Sequence, residues 1–296
     1  MPKNTSKTPK MVVIVGETAS GKSALAMEMA KKFNGELICA DSSTIRKDLD
    51  IGSAKPSKED QQLIKHHLLD MAKPDEVFSA AKFKQLAQKA IKDISNRDKL
   101  PILVGGSGLY VDSILYDYEF LPPADLKERD LLSKLSVKDL LSVARGRKLD
   151  VSEIDTANKV RLIRFIQTNG KLPKKRSLRK NTLIIGLKTN REDLNKKITA
   201  RTEHMIKQGL VDEVEGLVEQ YGWKAEGLKA VGYREWQEHF LGKKSLEKTK
   251  FEIIKDTKNL AKKQRTWFRR NKSIQWVDTP VNQAEVVDLI TTFLDK

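Results

Sequence analysis

Gly16-Glu17-Thr18-Ala19-Ser20-Gly21-Lys22-Ser23 follows the apolar run Met11-Val12-Val13-Ile14-Val15 and leads directly into Ala24-Leu25-Ala26-Met27. The pattern G-x-x-x-x-G-K-S between a strand and a helix is the context that a phosphate-binding loop requires. Glycines let the chain turn tightly, so that successive backbone N–H groups point into one concavity. The helix N-terminus adds partial positive charge, Lys22 adds a full one, and Ser23 offers a hydroxyl to Mg²⁺. A phosphate-bearing ligand is expected here. The loop alone does not say whether it is a nucleotide or another diphosphate.

Around this loop the chain alternates strand and helix. The strand at 11–15 is followed by a helix over 22–33, which Asn34-Gly35 closes, and by a second strand, Glu36-Leu37-Ile38-Cys39-Ala40. That βαβ order predicts a parallel sheet, with ligands beyond the carboxyl ends of its strands. Asp41, directly after the second strand, therefore falls beside the phosphate loop. A functional loop is expected over 42–58, a helix from Ser79 to Asn96, and a strand over 101–104. That strand leaves through Gly105-Gly106-Ser107-Gly108, a second glycine-rich exit expected to present N–H groups. His66 and His67 are adjacent and lack the spacing that zinc ligands need.

From about residue 121 the character changes to helices rich in Lys and Arg. A helix over 155–167 carries Lys159, Val160, Arg161 and Arg164, with Arg161 and Arg164 close on one face. Strand character returns at 181–187. Helices are expected over 191–207 (with Arg201), from Gly209, and over 248–270, before a last strand at 273–277. The organisation read from this is a tail at 1–10, a core of 11–120 and 181–296, and a basic helical insertion at 121–180. Placed between strands of a core, such an insertion reads as a lid or a nucleic-acid arm.

Composition narrows the class. The chain has 296 residues, 32% of them charged, and a formal net charge of +16, which favours a polyanionic partner over a membrane. Its apolar runs are too short to span a bilayer. The one cysteine, Cys39, lies in an apolar strand and can form no disulfide within the chain, which suits a reducing compartment. Three functions remain open: a small-molecule kinase, a nucleotide-driven RNA-binding NTPase, and a group-transfer enzyme that holds a diphosphate leaving group and acts on nucleic acid. The charge argues against the first. Against the second, the strand at 101–104 ends in Gly-Gly and not in a Mg²⁺-binding Asp. Asp41 could instead act as general base toward a nucleophile, so the third uses every feature.

These residues together resemble the tRNA dimethylallyltransferase family in its bacterial form. The likeness is carried by Gly16 to Ser23, Asp41-Ser42, Asp50-Ile51-Gly52-Ser53-Ala54-Lys55-Pro56, His66-His67-Leu68-Leu69-Asp70, Phe78-Ser79-Ala80-Ala81-Lys82-Phe83 and Gly105 to Tyr110. It continues through Arg201 with Gly209-Leu210, Gly232-Tyr233-Arg234-Glu235 and the stretch from Ala261 to Arg269. The resemblance implies a P-loop NTPase-like α/β core, a parallel sheet flanked by helices, with an inserted all-helical domain. It also implies transfer of a dimethylallyl group from dimethylallyl diphosphate to the exocyclic amine of the adenosine 3′ of the anticodon. In that scheme residues 16–23 hold the diphosphate with Mg²⁺ on Ser23, while Thr18, Lys22 and Arg201 stabilise its departure. Asp41 takes the amine proton. Asp41, Ser42, Ser43, Thr44 and Ser107, with Arg129, Lys159, Val160, Arg161 and Arg164 of the insertion, contact the tRNA anticodon stem-loop. A monomer acting in the cytoplasm, with no membrane partner, is expected.

The chain departs from the family pattern at several points. Ser43, Thr44, Ile45 and Arg46 stand where a Gln and a Tyr are usual, so Thr44 offers the adenine a single hydrogen bond and no bidentate pair. Glu17 replaces a Pro, Ser107 a Thr, and Val160 a Gln. Two alternatives remain: an adenylate isopentenyltransferase acting on free AMP, ADP or ATP, and a P-loop kinase.

Overall fold

A computed structural model of the protein describes residues 8–122 and 125–296. Residues 1–7 of the expected tail, and Pro123 and Ala124 near the expected start of the insertion, lie outside the described residues. The elements in chain order are β1 (Met11–Gly16), α1 (Lys22–Lys32), β2 (Gly35–Cys39), α2 (Lys58–Leu63), β3 (His66–His67), α3 (Ala80–Asn96), β4 (Leu100–Gly105) and α4 (Gly108–Leu115). Then come α5 (Leu126–Lys134), α6 (Val137–Gly146), α7 (Lys159–Gln167), β5 (Thr182–Lys188), α8 (Arg191–Lys207), α9 (Leu210–Tyr221), α10 (Gln237–Phe240), α11 (Leu246–Phe268), β6 (Gln275–Asp278) and α12 (Gln283–Asp295).

Six strands form one parallel sheet in the order β3-β2-β4-β1-β5-β6. This is the P-loop NTPase-like arrangement. β1 lies between β4 and β5, in register Val12 with Ile102 and with Leu183. The chain passes from β1 to β2 on one side and crosses back from β4 to β5 on the other, so the loops after the adjacent strands β1 and β4 leave in opposite directions and open a crevice at the carboxyl edge. The inner strands are buried throughout, as strands covered on both faces must be. Val12, Ile14, Leu37, Ile102, Val104 and Ile185 pack with Leu25 and Met29 of α1 and with Val286 and Ile290 of α12. Residues of the other parity, such as Val13, Val15, Leu103 and Ile184, are equally buried, and α3 and α11 pack on the sheet as well.

The structure differs from the sequence reading in several places. Asn34, not Gly35, makes the turn after α1, with φ 48°, whereas Gly35 opens β2. A Cβ at Gly35 would lie 2.9 Å from the Leu100 carbonyl oxygen. His66 and His67 form the short edge strand β3, and His67 Nε2 lies 2.7 Å from Glu36 Oε2. The last helix, α12, had no place in the sequence reading. Residues 8–10, read from sequence as part of the tail, are tied to the core: Asn181 Nδ2 donates to Thr8 O and Arg179 Nη2 to Pro9 O, both at 2.7 Å.

Tyr116–Leu178 forms one compact unit and the other described residues form the second. Within that unit α5, α6 and α7 share a core of Leu132, Leu140, Ala144, Leu162, Ile163 and Ile166. Its two ends pair through an antiparallel bridge between Glu119 and Lys174. α6 opens with a capping box of Ser136 and Asp139, and α7 is capped by Asn158, so it begins later than the expected residue 155.

Candidate active site

The loop after β1 is shaped as its sequence predicts. Ala19 and Gly21 take left-handed conformations, φ 64° and 91°. Gly21 caps α1 with no side-chain hydrogen bond, so the first N–H groups of that helix are left for a ligand. The loop is braced from behind by α11. Thr18 N donates to Gln264 Oε1 at 2.7 Å, and Arg265 Nε lies 2.9 Å from the buried Glu17 carboxylate. Lys22 Nζ folds back onto the Glu17 carbonyl at 3.2 Å. Burial pushes Lys22 down to about 8; Asp41 opposes that shift and Arg201 adds to it. An ammonium this ill at ease is primed to receive negative charge.

Lys22 opens onto a cavity of about 500 Å³. Its polar wall includes Thr18, Lys22, Ser23, Asp41, Thr44 and Arg201; its apolar wall includes Met27, Leu37, Cys39 and Val104. Arg201 reaches it from α8, and burial lowers its pKa, with Asp41 opposing. Asp41 Oδ1 accepts from Ser43 N at 2.8 Å, which fixes the carboxylate in a turn at the end of β2. The Cys39 thiol is pushed up to about 12, first by burial and then by Asp41, so it is inert as a nucleophile. A smaller cavity of about 70 Å³ adjoins, lined by Ser43, Gly52, Gly232 and Gln264. Thr18, Asp41, Ser53 and Arg201 line both, and so stand where the two spaces meet.

Of the family positions after Asp41, Thr44 alone faces the larger cavity, and its buried hydroxyl has no hydrogen-bond partner among the described residues. Ile45 is fully buried, and Arg46 donates from Nη1 to the carbonyls of Lys73 (3.0 Å) and Glu76 (2.8 Å). Ser42 and Ser107 lie outside both cavities and pair with each other: Ser42 N donates to Ser107 Oγ at 3.0 Å. The Ser107 N–H, expected to face a ligand, donates to Ala40 O at 3.2 Å. The glycines of this exit serve packing. A Cβ on Gly105 would strike the Ala40 carbonyl, and one on Gly106 or Gly108 would strike Gln264 or Trp267 of α11.

One wall of the larger cavity is the 50–56 loop, and the residue that anchors it escaped the sequence reading. Glu213 of α9 accepts from Asp50 N (3.1 Å), Ile51 N (2.7 Å), Gly52 N (3.1 Å) and the Tyr233 hydroxyl (2.8 Å). Lys55 closes the loop from within, donating to Asp70 Oδ1 at 2.6 Å and to the Arg46 carbonyl at 2.8 Å. Gly52 was the visible clue, since any Cβ there would meet the Tyr233 ring at 2.5 Å.

In the helical unit the expected cations divide in two. Arg129 and Arg161 are exposed, and so is Val160, at 67%. Lys159 Nζ donates to Ser133 O at 2.8 Å, and Arg164 Nη2 donates to Leu121 O at 3.2 Å and to the Pro122 carbonyl.

Comparison with known proteins accounts for this constellation. Residues 44–271 match the family model described as IPP transferase. The chain is 39% identical over 285 residues to a tRNA dimethylallyltransferase of Anoxybacillus flavithermus, covering 91% of this chain and 90% of that protein. The chain belongs to the tRNA dimethylallyltransferase family. A second member, from Acetivibrio thermocellus, is 39% identical over 287 residues, covering 90% of this chain and 91% of its own. The crystal structure of the Staphylococcus epidermidis tRNA delta(2)-isopentenylpyrophosphate transferase superposes with a TM-score of 0.74 at 32% identity, covering 97% of this chain and 99% of that one. A eukaryotic dimethylallyltransferase acting on tRNA superposes with a TM-score of 0.79 at 25% identity, covering 92% of this chain and 74% of that one. Membership makes this chain a prenyl-transferring enzyme and favours the tRNA reading over free adenylate.

Proposed function

We propose that the protein transfers the dimethylallyl group of dimethylallyl diphosphate to the exocyclic N6 amine of the adenosine 3′ of the anticodon in tRNA. The observation that carries this reading is the meeting of two cavities at Thr18, Asp41 and Arg201. An open phosphate cradle adjoins an apolar wall on one side, and an aspartate faces both spaces. Diphosphate would rest on the uncapped N–H groups of α1 and on Lys22. The prenyl chain would lie against Met27, Leu37, Cys39 and Val104, which exclude water from the reacting carbon.

The allylic C–O bond breaks, its electron pair leaves with the diphosphate, and the amine nitrogen forms the new C–N bond. Arg201, Lys22 and Thr18 offset the charge that grows on the leaving oxygen. Asp41, held by Ser43 N, takes the amine proton. Thr44 offers the base its unpartnered hydroxyl. The target base must leave its stack to reach this depth.

No group of three or more His, Cys, Asp or Glu that could hold a metal occurs among the described residues. Mg²⁺ seldom needs one, because it is usually bound through substrate phosphates and water. The Ser23 hydroxyl in the cavity wall fits that mode, with the diphosphate as the other ligand. When bound, the ion neutralises charge on the leaving group.

On this reading the helical insertion at 121–180 holds the stem-loop backbone through its basic residues. One chain supplies every catalytic group, so it would act as a monomer. A single buried cysteine, and no helix among the described residues long and apolar enough to cross a membrane, suit a cytoplasmic enzyme. The test is incubation with dimethylallyl diphosphate, Mg²⁺ and unmodified tRNA. Isopentenyl adenosine should form in the tRNA while AMP stays inert. Turnover of AMP without tRNA product would move the assignment to an adenylate isopentenyltransferase.

A further inference from the structure

A third cavity, of about 210 Å³, opens on the other flank of the phosphate loop, where β1 and β5 end. It shares no lining residue with the two already described. Gly16 and Glu17 form its floor; Thr189, Arg265, Phe268, Arg269 and Trp276 form its walls.

Two features single it out. Thr189 is 6% exposed, and its buried hydroxyl has no hydrogen-bond partner among the described residues. Buried polar atoms of this kind are costly and call for an explanation. Trp276 is the second. Its indole lies across β5 where Gly186 has no side chain, since a Cβ there would come within 2.7 Å of the ring. The ring is thus fixed on one side while the residue remains 38% exposed. A large aromatic held rigid and half in solvent on an edge strand is a stacking platform.

We propose that this cavity is a nucleobase-binding site, with the base stacked on Trp276, hydrogen-bonded to Thr189 and Glu17, and its phosphate toward Arg265 and Arg269. The size supports one heterocycle, because the cavity is smaller than the roughly 300–1,000 Å³ of sites for drug-sized ligands. The polar groups suit a base edge, which presents donors and acceptors side by side. The Thr189 hydroxyl can serve as either. Burial raises the Glu17 carboxyl against the pull of Arg265, Arg269 and Lys22, which favours its accepting or sharing a proton with a ring nitrogen. The two guanidiniums supply planar donors for a phosphate. A free nucleotide and an RNA loop nucleotide present the same chemistry. The site stands whether or not the first cavity transfers a prenyl group.

The test is equilibrium dialysis of the full chain with AMP, and a parallel binding titration with an RNA anticodon stem-loop. Wild type is compared with Thr189→Val and Trp276→Ala. Thr189→Val removes only an unpartnered hydroxyl, so its melting temperature should hold or rise; weaker binding by this variant is then not unfolding. Loss of that hydrogen bond should weaken the ligand about three- to tenfold, and loss of the indole about fivefold to a hundredfold. If both substitutions weaken AMP, the source is a free nucleotide. If both weaken the stem-loop and AMP does not bind, it is a base of the RNA. Any result in which the two substitutions do not both weaken the same ligand overturns the proposal.

Discussion

Two cations of the sheet-edge cleft, Arg201 and Lys22, and several of the helical insertion are used in opposite ways. In the cleft, Arg201 has no ion pair or hydrogen bond among the described residues, and Lys22 finds one main-chain carbonyl, while burial weakens the hold of both on their protons. In the insertion, much of the basic charge is already committed. Arg164 and Lys159 clamp main-chain carbonyls, Arg147 pairs with Glu128 at 2.9 Å, and the Arg176 Nε donates to Glu119 at 3.0 Å. Arg201 and Lys22 are left with unmet demand for an anion, whereas Lys159, Arg164, Arg147 and Arg176 are spent on holding the insertion's own chain together. Charge counted along a sequence is therefore not charge available to a ligand.

The comparison can be broken first at the chemistry. Asp41→Asn should lower kcat by about 10²–10⁴-fold if it removes a general base, with tRNA and diphosphate still bound in direct titrations. Arg201→Ala should lower kcat/KM by about 10²–10³-fold, the usual loss for one preorganised donor to a developing oxyanion. A near wild-type rate in steady-state assays would mean that Arg201 does not face the leaving group.

The insertion gives the next largest effects, and they should separate. Arg164→Ala leaves main-chain carbonyls without their charged donor and should cost about 1.5–3 kcal/mol of stability by denaturant titration. Arg129→Ala and Arg161→Ala should each stay within about 0.5 kcal/mol of wild type. Each should instead reduce the salt-dependence slope of tRNA binding by roughly one unit for every phosphate that is no longer neutralised. If Arg164→Ala flattened the slope while leaving stability intact, the division between committed and available cations would fail.

The smallest effect is a matter of protons. Lys22 titrates near 8 in the folded chain against 10.5 for an ordinary lysine. Between those values the unfolded state binds the extra proton, so stability contributed by this group rises as pH climbs through that window. On the proposed reading, bound diphosphate restores the charge. Calorimetry at about pH 9 in buffers of different ionisation enthalpy should register fractional proton uptake on diphosphate binding, and Lys22→Met should abolish it. Below about pH 7 the uptake should vanish in wild type too, because Lys22 is already charged there.

What could be read from the sequence was local. Residues 16–23 specify a conformation within eight positions, and Asp41 follows from the end of a neighbouring strand. The braces were hidden because they join distant parts of the chain. Gln264 reaches Thr18 across 246 positions and Glu213 reaches Ile51 across 162. No periodicity marks such a pair; only a glycine with an unexplained position, such as Gly52 or Gly106, points to a side chain arriving from elsewhere. β3 was illegible because two residues carry no alternation, and its register is fixed by Leu37 and Ile38 of β2. The spacing of Arg161 and Arg164 placed both on α7. It could not reveal that one of them turns back to the chain at 121–122.

Cys39 gains a meaning from its place in the apolar wall. On the proposed reading, an allylic electrophile is activated within van der Waals range of sulfur, the most nucleophilic atom a protein carries. A thiolate there would capture the prenyl group and end the enzyme's working life at the first turnover. With the thiol pushed up to about 12, almost no thiolate exists at neutral pH. Burial and the Asp41 carboxylate thus protect the catalyst from its own reagent.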